Sequence, residues 1–412
     1  MIFIKKICSF VFVKIKVIWN KLIVYVYYLL NLSKYYCCII SFSFFIFCSC
    51  KKERETSFSG DTNNFHHIFI EFWEKMNSQY VYWDRETVDW NSVYKNYKPL
   101  FDALTNSDDD KKQAVSYFKQ MTAELMDHHL SITFLQAPFS GTLINPAYDR
   151  KIKTTDYHAR YNYNSLVESY LDKGFLSGKG NLSSNGELIN ATAGTINGNL
   201  LYFHCNFFAL QKSFNSDGDN KIKQALTYFF SEIKRDSSPI KGIILDLRLN
   251  SGGNIEDLNF FAGKLVNHDV LFGYTRGKSG LGKLNYLPWL ESRLKHDSDY
   301  GVNVPIMMLC DNFSASLSEI MIIALKSKTN LLIGEQTYGA TGPLSDPDIF
   351  NSGSFNVGTF LSVKTSAVEF KGLDGKFYEG VGVIPDIQSP FNLKELSSGK
   401  DSQLELAIKQ LN

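Results

Sequence analysis

Three serines, Ser314, Ser316 and Ser318, lie at the junction of a predicted strand and a predicted helix. The apolar run 304–310 is short enough for a buried strand, and the apolar spacing within 316–328 predicts an amphipathic helix. The first N–H groups of a helix have no partner within it, so they can hold the negative charge that develops when a serine oxygen attacks a carbonyl. Serine is also a preferred N-cap residue, so a purely structural capping role fits the same position.

A second predicted strand ends in the sequence NSGG at residues 250–253. Paired glycines allow the backbone to pass close to a ligand and to present N–H groups to it. If both strands belong to one sheet, their ends supply a nucleophile and an oxyanion hole together. We expect the N–H groups of Leu317 and of Gly252 or Gly253 to form that hole.

The remaining pattern predicts an α/β (α+β) protein. Residues 51–135 contain three segments with helical apolar spacing and predict a helical N-terminal domain. Residues 136–197 are rich in turn signals and predict a β-rich insertion. In residues 198–412 strands alternate with helices, which predicts a mainly parallel sheet covered by helices.

Three motifs in this order, LDLRLNSGG, SASLSEI and GEQTYG, resemble those of the C-terminal processing peptidases, also called tail-specific proteases. The resemblance implies the tail-specific protease fold, with residues 198–412 as the catalytic core. It also implies a serine endopeptidase that hydrolyses unfolded or C-terminal segments of polypeptides without a metal or cofactor. In that family the nucleophile is the serine three residues before a glutamate, which corresponds to Ser316 ahead of Glu319.

Two further residues are assigned by the same resemblance. The sequence Asp127-His128-His129 is similar to the D-G-H motif of the family, and the tricorn-like branch takes its catalytic histidine from the position of His129. The stretch EGVGVIPD is similar to a family motif whose glutamate belongs to the active site of that branch, which implies Glu379. The structural alternatives are a solvated histidine pair at a helix C-terminus and a surface carboxylate in a hairpin.

The chain departs from the family pattern at two places. Better-known members use a lysine as general base directly after GEQTYG, but this chain has Ala340 there. Two interpretations follow: His129 is the base, assisted by Glu379, or the protein is a catalytically inactive envelope lipoprotein that binds peptides. Many members also carry a PDZ domain near residues 136–197, and no carboxylate-binding Gly-Leu-Gly loop is visible there, so that domain is either absent or reduced to the β-rich insertion.

The first fifty residues have the layout of an export signal. Residues 1–49 contain six lysines and no acidic residue, and the apolar run 37–47 is followed by the sequence FCSCKKE. This pattern resembles the lipobox of bacterial lipoproteins, with Cys50 as the lipidated residue; a transmembrane anchor is the alternative. We therefore expect an exported lipoprotein of the bacterial cell envelope, held at the membrane by its lipid. The remaining residues carry a net charge of −5, which does not favour nucleic-acid binding.

Overall fold

The structure is a computed structural model that describes residues 64–182, 188–218, 220–234, 239–344 and 351–412. All the described residues belong to one compact unit. The predicted export signal and Cys50 lie outside the described residues. Within the described ranges, no helix is long and apolar enough to cross a membrane.

Short runs of helices and runs of strands follow one another along the chain. The α-helices are α1 Phe65–Gln79, α2 Trp90–Asp102, α3 Asp108–Thr122, α4 Pro146–Lys151, α5 Asn164–Glu168, α6 Leu210–Asn215, α7 Lys221–Lys234, α8 Leu317–Leu325, α9 Leu393–Ser397 and α10 Ser402–Leu411. The strands are β1 Ser131–Phe134, β2 Leu143–Ile144, β3 Leu176–Leu182, β4 Leu188–Ile196, β5 Leu200–Cys205, β6 Gly242–Asp246, β7 Val270–Gly277, β8 Leu290–Leu294, β9 Ile306–Cys310, β10 Leu331–Gly334, β11 Ser354–Val357, β12 Leu361–Lys364, β13 Val368–Gly372 and β14 Ile387–Gln388.

The central sheet has seven strands in the order β14-β10-β9-β6-β5-β4-β3. The five strands from β14 to β5 are parallel to one another, and β4 and β3 join antiparallel at one edge. This confirms the predicted mainly parallel sheet. Alternate residues of β6 face opposite cores: Ile243 and Leu245 pack with α7, whereas Ile244 packs with residues of α9 and α10. The sheet is therefore covered on both faces, as its continuous apolar strands require.

The three N-terminal helices pack on a second, four-stranded sheet in the order β11-β12-β1-β2. Each helix has a side-chain cap at its start, supplied by Asn64, Asp89 and Ser107. Strand β1, which follows the helices, pairs with β12, which lies more than 200 residues later in the chain. The N-terminal segment and the C-terminal part of the chain thus share one apolar core. A third sheet, β13-β7-β8, completes the fold.

The region 136–197 contributes to the main sheet. Strands β3 and β4 pair with each other, and β4 pairs with β5 of the predicted catalytic core. The boundaries that we predict for the N-terminal domain, the insertion and the core remain predictions. What the structure adds is that two strands predicted as an insertion extend the central sheet.

The sequence also predicts a helix over 254–266, a single strand over 360–370 and a C-terminal helix over 393–411, and the structure differs from each of these three predictions. The helix predicted after Gly253 begins four residues later, as a π-turn at Leu258–Ala262 that continues into a 3₁₀ turn, since Asn254 first hydrogen-bonds to the Phe208 backbone. The single strand predicted for 360–370 is broken between β12 and β13, which enter different sheets. The predicted C-terminal helix is interrupted at Gly399, whose φ of 87° is incompatible with a continuous helix.

Candidate active site

Ser316 occupies the turn between β9 and α8, as the sequence predicts. Its φ of 57° and ψ of −121° are rare for a residue with a side chain and hold it in a strained turn. The Ser316 N–H donates to the Glu319 carboxylate at 3.1 Å. The hydroxyl groups of the two flanking serines donate hydrogen bonds to other acceptors. Ser314 donates to Leu247 O at 2.8 Å, and Ser318 donates to Asn250 Oδ1 at 2.6 Å. Ser316 is therefore the serine of this turn whose hydroxyl faces the histidine described next.

His129 reaches Ser316 across 187 residues of sequence, with 3.1 Å between His129 Nε2 and Ser316 Oγ. The histidine lies in the tight turn between α3 and β1. Asp127 shapes this turn, since its Oδ1 accepts a hydrogen bond from the His129 N–H at 2.8 Å and its carbonyl accepts one from Leu130. The neighbouring His128 points elsewhere, donating from Nδ1 to Tyr338 O at 2.8 Å. The structure thus brings together the predicted nucleophile and the predicted base.

The Gly252-Gly253 turn lies directly against the nucleophile. A Cβ atom added to Gly252 would lie 2.5 Å from Ser316 Cβ and 2.8 Å from Leu317 N, so only glycine permits this approach. The Gly252 N–H already donates to Asn250 Oδ1 at 2.8 Å, which removes it from the expected oxyanion donors. The N–H groups of Gly253 and Leu317 donate to no acceptor among the described residues.

Glu379 is buried beside this group but does not hydrogen-bond to the imidazole of His129. Its Oε1 accepts from the His128 N–H at 2.7 Å, and its Oε2 accepts from the N–H groups of Thr341 and Gly342 at 2.7 and 2.8 Å. The carboxylate therefore joins the backbone of the histidine turn to that of the loop after GEQTYG. Glu379 thus contacts the backbone of the histidine turn, while one of its oxygens also lies within 4.8 Å of a ring nitrogen of His129.

Sequence reasoning missed the residue that contacts the other imidazole nitrogen. Ser366 Oγ lies 3.4 Å from His129 Nδ1 and donates to Asp127 Oδ1 at 2.9 Å. Ser366 occupies the break between β12 and β13, and its N–H also donates to Asp127, at 2.7 Å. No local signal marks this serine, because the segment appears in the sequence as one continuous strand.

The position of the missing lysine is occupied by a buried alanine. Ala340 and Gly339 donate their N–H groups to Glu319 at 2.7 and 2.8 Å, and Thr337 donates its hydroxyl to the same carboxylate at 2.5 Å. Burial raises the pKa of Glu319 to about 7, while these donated hydrogen bonds act in the opposite direction. Glu319 thus fixes the GEQTYG loop against the nucleophile turn.

Burial governs the protonation of the histidines and of the carboxyl group behind them. It lowers the pKa of His129 to about 4, with a smaller contribution from His128, and it lowers the pKa of His128 to about 4. It raises the pKa of Asp127 to about 6 and that of Glu379 well above its usual range. A neutral His129 is the form that can accept a proton from Ser316.

A cleft of roughly 390 Å³ opens at Ser316. Apolar atoms form somewhat more than half of its wall, and six polar side chains lie among them: the lining residues are His129, Phe207, Ser251, Gly253, Asn254, Ile255, Glu256, Ser316, Leu317, Ile320, Thr341, Pro343 and Leu344. A cleft that combines apolar wall with polar groups near a nucleophile suits a substrate site.

Three side chains at or behind the nucleophile are potential metal ligands. Ligand atoms of Asp127, His129 and Glu379 lie within 4.8 Å of one another. However, both carboxylates accept N–H hydrogen bonds from the backbone, and His129 faces Ser316 and Ser366. A cation would compete with these donors, so the donor set fits a hydrogen-bonded network better than a metal site.

Comparison with known protein families bears directly on this geometry. The model described as peptidase family S41 matches residues 204–389, and that of the tricorn protease C1 domain matches residues 61–109. Residues 204–389 are a peptidase family S41 domain. The S41 domain contains Ser316, Glu379 and the glycine turn, whereas His129 lies ahead of it.

Two curated bacterial relatives of this chain are carboxy-terminal processing proteases. The one from Bartonella bacilliformis is 28% identical over 184 residues, and CtpA from Bacillus subtilis is 23% identical over 302 residues. These alignments cover 44% and 66% of this chain, and 38% and 60% of the respective relative. The chain therefore matches less than two thirds of the length of either protein.

Solved structures share the fold. A protein from Parabacteroides merdae assigned as a peptidase superposes with a TM-score of 0.64 at 21% identity, covering 84% of this chain and 96% of that one. Mature CPAF superposes with a TM-score of 0.56 at 11% identity, covering 85% of this chain and 96% of that one. The mixed α/β architecture predicted from the sequence is thus shared with these two proteins.

Proposed function

We propose that this protein is a serine endopeptidase that hydrolyses polypeptides through an acyl-enzyme on Ser316. The observation that carries the proposal is the 3.1 Å separation between His129 Nε2 and Ser316 Oγ at the apolar cleft. A hydroxyl and a neutral imidazole at hydrogen-bond distance are the pair that nucleophilic catalysis requires. The S41 domain and the carboxy-terminal processing relatives support the same reaction class.

In the acylation step, Ser316 Oγ forms a bond to the peptide carbonyl carbon while its proton passes to His129 Nε2. The tetrahedral intermediate then collapses, the C–N bond breaks, and His129 returns the proton to the leaving amine. Water repeats the sequence with His129 as base and releases the acyl group, which restores Ser316. The atoms and protons of this sequence balance with water as the only co-reactant.

The oxyanion is held by the N–H groups of Gly253 and Leu317 in this proposal. Both are close to the nucleophile, and neither donates to an acceptor in the part of the chain that the structure describes. A preorganised donor of this kind contributes about 3 kcal/mol to transition-state stabilisation. Gly252 is excluded as a donor by its bond to Asn250, and its role is to let the turn approach Ser316.

The proposed substrates are unfolded or C-terminal segments of proteins. The cleft wall formed by Phe207, Ile255, Ile320 and Leu344 suits apolar side chains of an extended chain. The names of the relatives refer to carboxy-terminal processing, which is consistent with such segments.

The location that we propose is the bacterial cell envelope, with a lipid on Cys50 as the membrane anchor. The support is the lysine-rich, apolar leader and the sequence FCSCKKE. Such an anchor would place the peptidase at a membrane surface, where exported polypeptides pass.

The direct test is active-site labelling with a fluorophosphonate probe, together with hydrolysis of an unfolded protein. We expect wild-type protein to be labelled on Ser316 and to be active, and Ser316→Ala to lose both properties with little change in melting temperature. Ser318→Ala is the matched control, because it removes a buried hydroxyl two residues further along the same turn, and it should keep most of the labelling. Peptide binding without labelling or turnover in the wild type would contradict the proposal and favour an inactive binding protein.

A further inference from the structure

The imidazole of His129 has two neighbours of different kinds. Its Nε2 faces Ser316 at 3.1 Å, and its Nδ1 faces Ser366 Oγ at 3.4 Å. For Nε2 to accept the Ser316 proton, the neutral ring must carry its hydrogen on Nδ1. That hydrogen then needs an acceptor, and the Ser366 oxygen is the group in position.

The Ser366 oxygen can accept a hydrogen bond from His129 because the hydroxyl hydrogen of Ser366 is itself donated to another acceptor. The hydroxyl donates to Asp127 Oδ1 at 2.9 Å, and the Asp127 carboxylate is held in place by the backbone N–H groups of His129 and Ser366. Asp127 and Ser366 are both fully buried. The donor-to-acceptor direction is therefore continuous from Ser316 through His129 and Ser366 to Asp127.

Glu379 is not the acceptor for the hydrogen on His129 Nδ1. Its two oxygens accept from the N–H groups of His128, Thr341 and Gly342, and no hydrogen bond joins it to the His129 ring among the described residues. The orienting or charge-stabilising role of Glu379, which rests on resemblance, therefore stays a prediction without a hydrogen bond to the ring.

We propose that Ser366 and Asp127 form a hydrogen-bonded relay that sets the tautomer of His129 and stabilises its imidazolium during catalysis. This inference rests on the proposed peptidase function and assigns two positioning residues to it. The relay is built from two separated segments: Asp127 belongs to the histidine turn, and Ser366 to the break between β12 and β13.

The relay meets a physical need of the site. Burial disfavours a charged imidazole, as the lowered pKa of His129 indicates. The imidazolium must nevertheless form when Ser316 loses its proton. A carboxylate that reaches the ring through one hydroxyl supplies a compensating negative charge, while the ring keeps a fixed orientation.

The test separates kcat from KM in Ser366→Ala. We expect kcat to fall about 10- to 100-fold, the range for losing one hydrogen bond to a charged group, with KM unchanged within about twofold. Asp127→Asn should lower kcat at least as much. The double variant should lose no more than Asp127→Asn alone, since both residues act through one chain of hydrogen bonds.

Two readouts distinguish the relay from a structural role. In ¹⁵N-histidine-labelled protein, the His129 Nδ1–H resonance should be visible in the wild type and lost or shifted in Ser366→Ala. Thr365→Val is the matched control: it removes the adjacent buried hydroxyl, which donates to Gly353 O at 2.8 Å, without touching His129. It should alter melting temperature but leave kcat and the resonance unchanged.

The outcomes are distinguishable from those of the parent proposal. A wild-type protein that is not labelled by the fluorophosphonate probe contradicts the peptidase function itself. A labelled, active wild type with an equally active Ser366→Ala overturns the relay only. If Ser366→Ala fails to fold, Ser366→Cys can replace it, because the thiol keeps a similar volume and forms a weaker hydrogen bond. Ser366→Cys should then show a smaller loss of kcat. Full activity in Ser366→Cys together with full activity in Asp127→Asn would also overturn the relay.

Discussion

At the scale of single residues, the decisive fact is which protonation state each side chain has before the reaction begins. An ordinary histidine changes charge near about pH 6.5, but burial lowers the pKa of His129 to about 4. The neutral base is therefore present throughout the range above about pH 4. The titratable groups that surround His129 are Asp127, His128, Glu379 and Tyr82.

The pH dependence of kcat/KM tests which of these groups limits activity. Burial raises the pKa of Asp127 to about 6, so its charge is present above that value and is lost as the pH falls through it. We expect kcat/KM to rise in a step near pH 6 in the wild type. In Asp127→Asn this step should disappear, the plateau should be lower, and the remaining acid limb should lie near pH 4.

The control for this experiment is His128→Gln, which removes the other buried histidine next to the base. It should leave the step near pH 6 in place, because His128 bonds to Tyr338 and not to the relay. If Asp127→Asn retained the wild-type step, a group other than Asp127 would limit activity, and the charge of Asp127 would have no part in the reaction.

At the scale of elements, two turns on neighbouring parallel strands form the site. Strand β6 leads into the glycine turn and β9 leads into the serine turn, and the two strands are adjacent in the central sheet. The carboxyl ends of adjacent parallel strands meet at one edge of a sheet, which is where ligand sites of such sheets lie. Asn250 joins the turns, since its backbone oxygen accepts from the Ala315 N–H at 3.0 Å.

The glycine turn and the serine turn lie so close together that one added methyl group should displace them. In Gly252→Ala the new Cβ would lie 2.5 Å from Ser316 Cβ and 2.8 Å from Leu317 N, so the nucleophile and an oxyanion donor must both move. We expect kcat/KM to fall roughly 100-fold or more, as it does when an oxyanion donor is lost. Steady-state kinetics and the rate of fluorophosphonate labelling measure this.

Gly174→Ala is the matched control for backbone strain. Gly174 has a φ of 99°, close to the 95° of Gly252, but a Cβ added there would meet no atom within 4 Å. Both variants should lose about 1–3 kcal/mol of unfolding free energy from the unfavourable φ. Only Gly252→Ala should lose activity, and equal activity in the two variants would contradict the proposed fit between the turns.

At the scale of the whole molecule, the base and the nucleophile come from different parts of one compact unit. His129 leads into β1, which pairs with β12 in the four-stranded sheet, whereas Ser316 follows β9 of the central sheet. The segment between β12 and β13 passes from the first of these sheets to the β13-β7-β8 sheet and carries Ser366 to the base. The active site therefore depends on the sheets being packed together.

The proposed envelope location concerns the chain ahead of this unit. Metabolic labelling with palmitate should mark the wild-type protein, and Cys50→Ala should not be marked, because the thiol of Cys50 is the proposed attachment point. Cys48→Ala is the matched control, since it removes a cysteine two residues earlier and should keep the label. Equal labelling of wild type and Cys50→Ala would contradict lipidation at this position.

The sequence by itself determined the features that depend on neighbouring residues. The apolar runs of β6 and β9, the serine turn and the glycine turn follow from local periodicity and from turn chemistry, and the structure confirms these elements. The order of three motifs identified the family of the catalytic core. The pairing of His129 with Ser316, on segments 187 residues apart, came from resemblance, since no local pattern relates them.

The tertiary structure alone decided which groups contact the base. Ser366 lies 237 residues from His129, in a stretch whose alternating apolar pattern predicts an uninterrupted strand. The strand breaks there because Asp127 binds both the N–H and the hydroxyl of Ser366, while Thr365 bonds to Gly353. These are contacts between distant segments, and their strength depends on burial, which sequence periodicity does not encode.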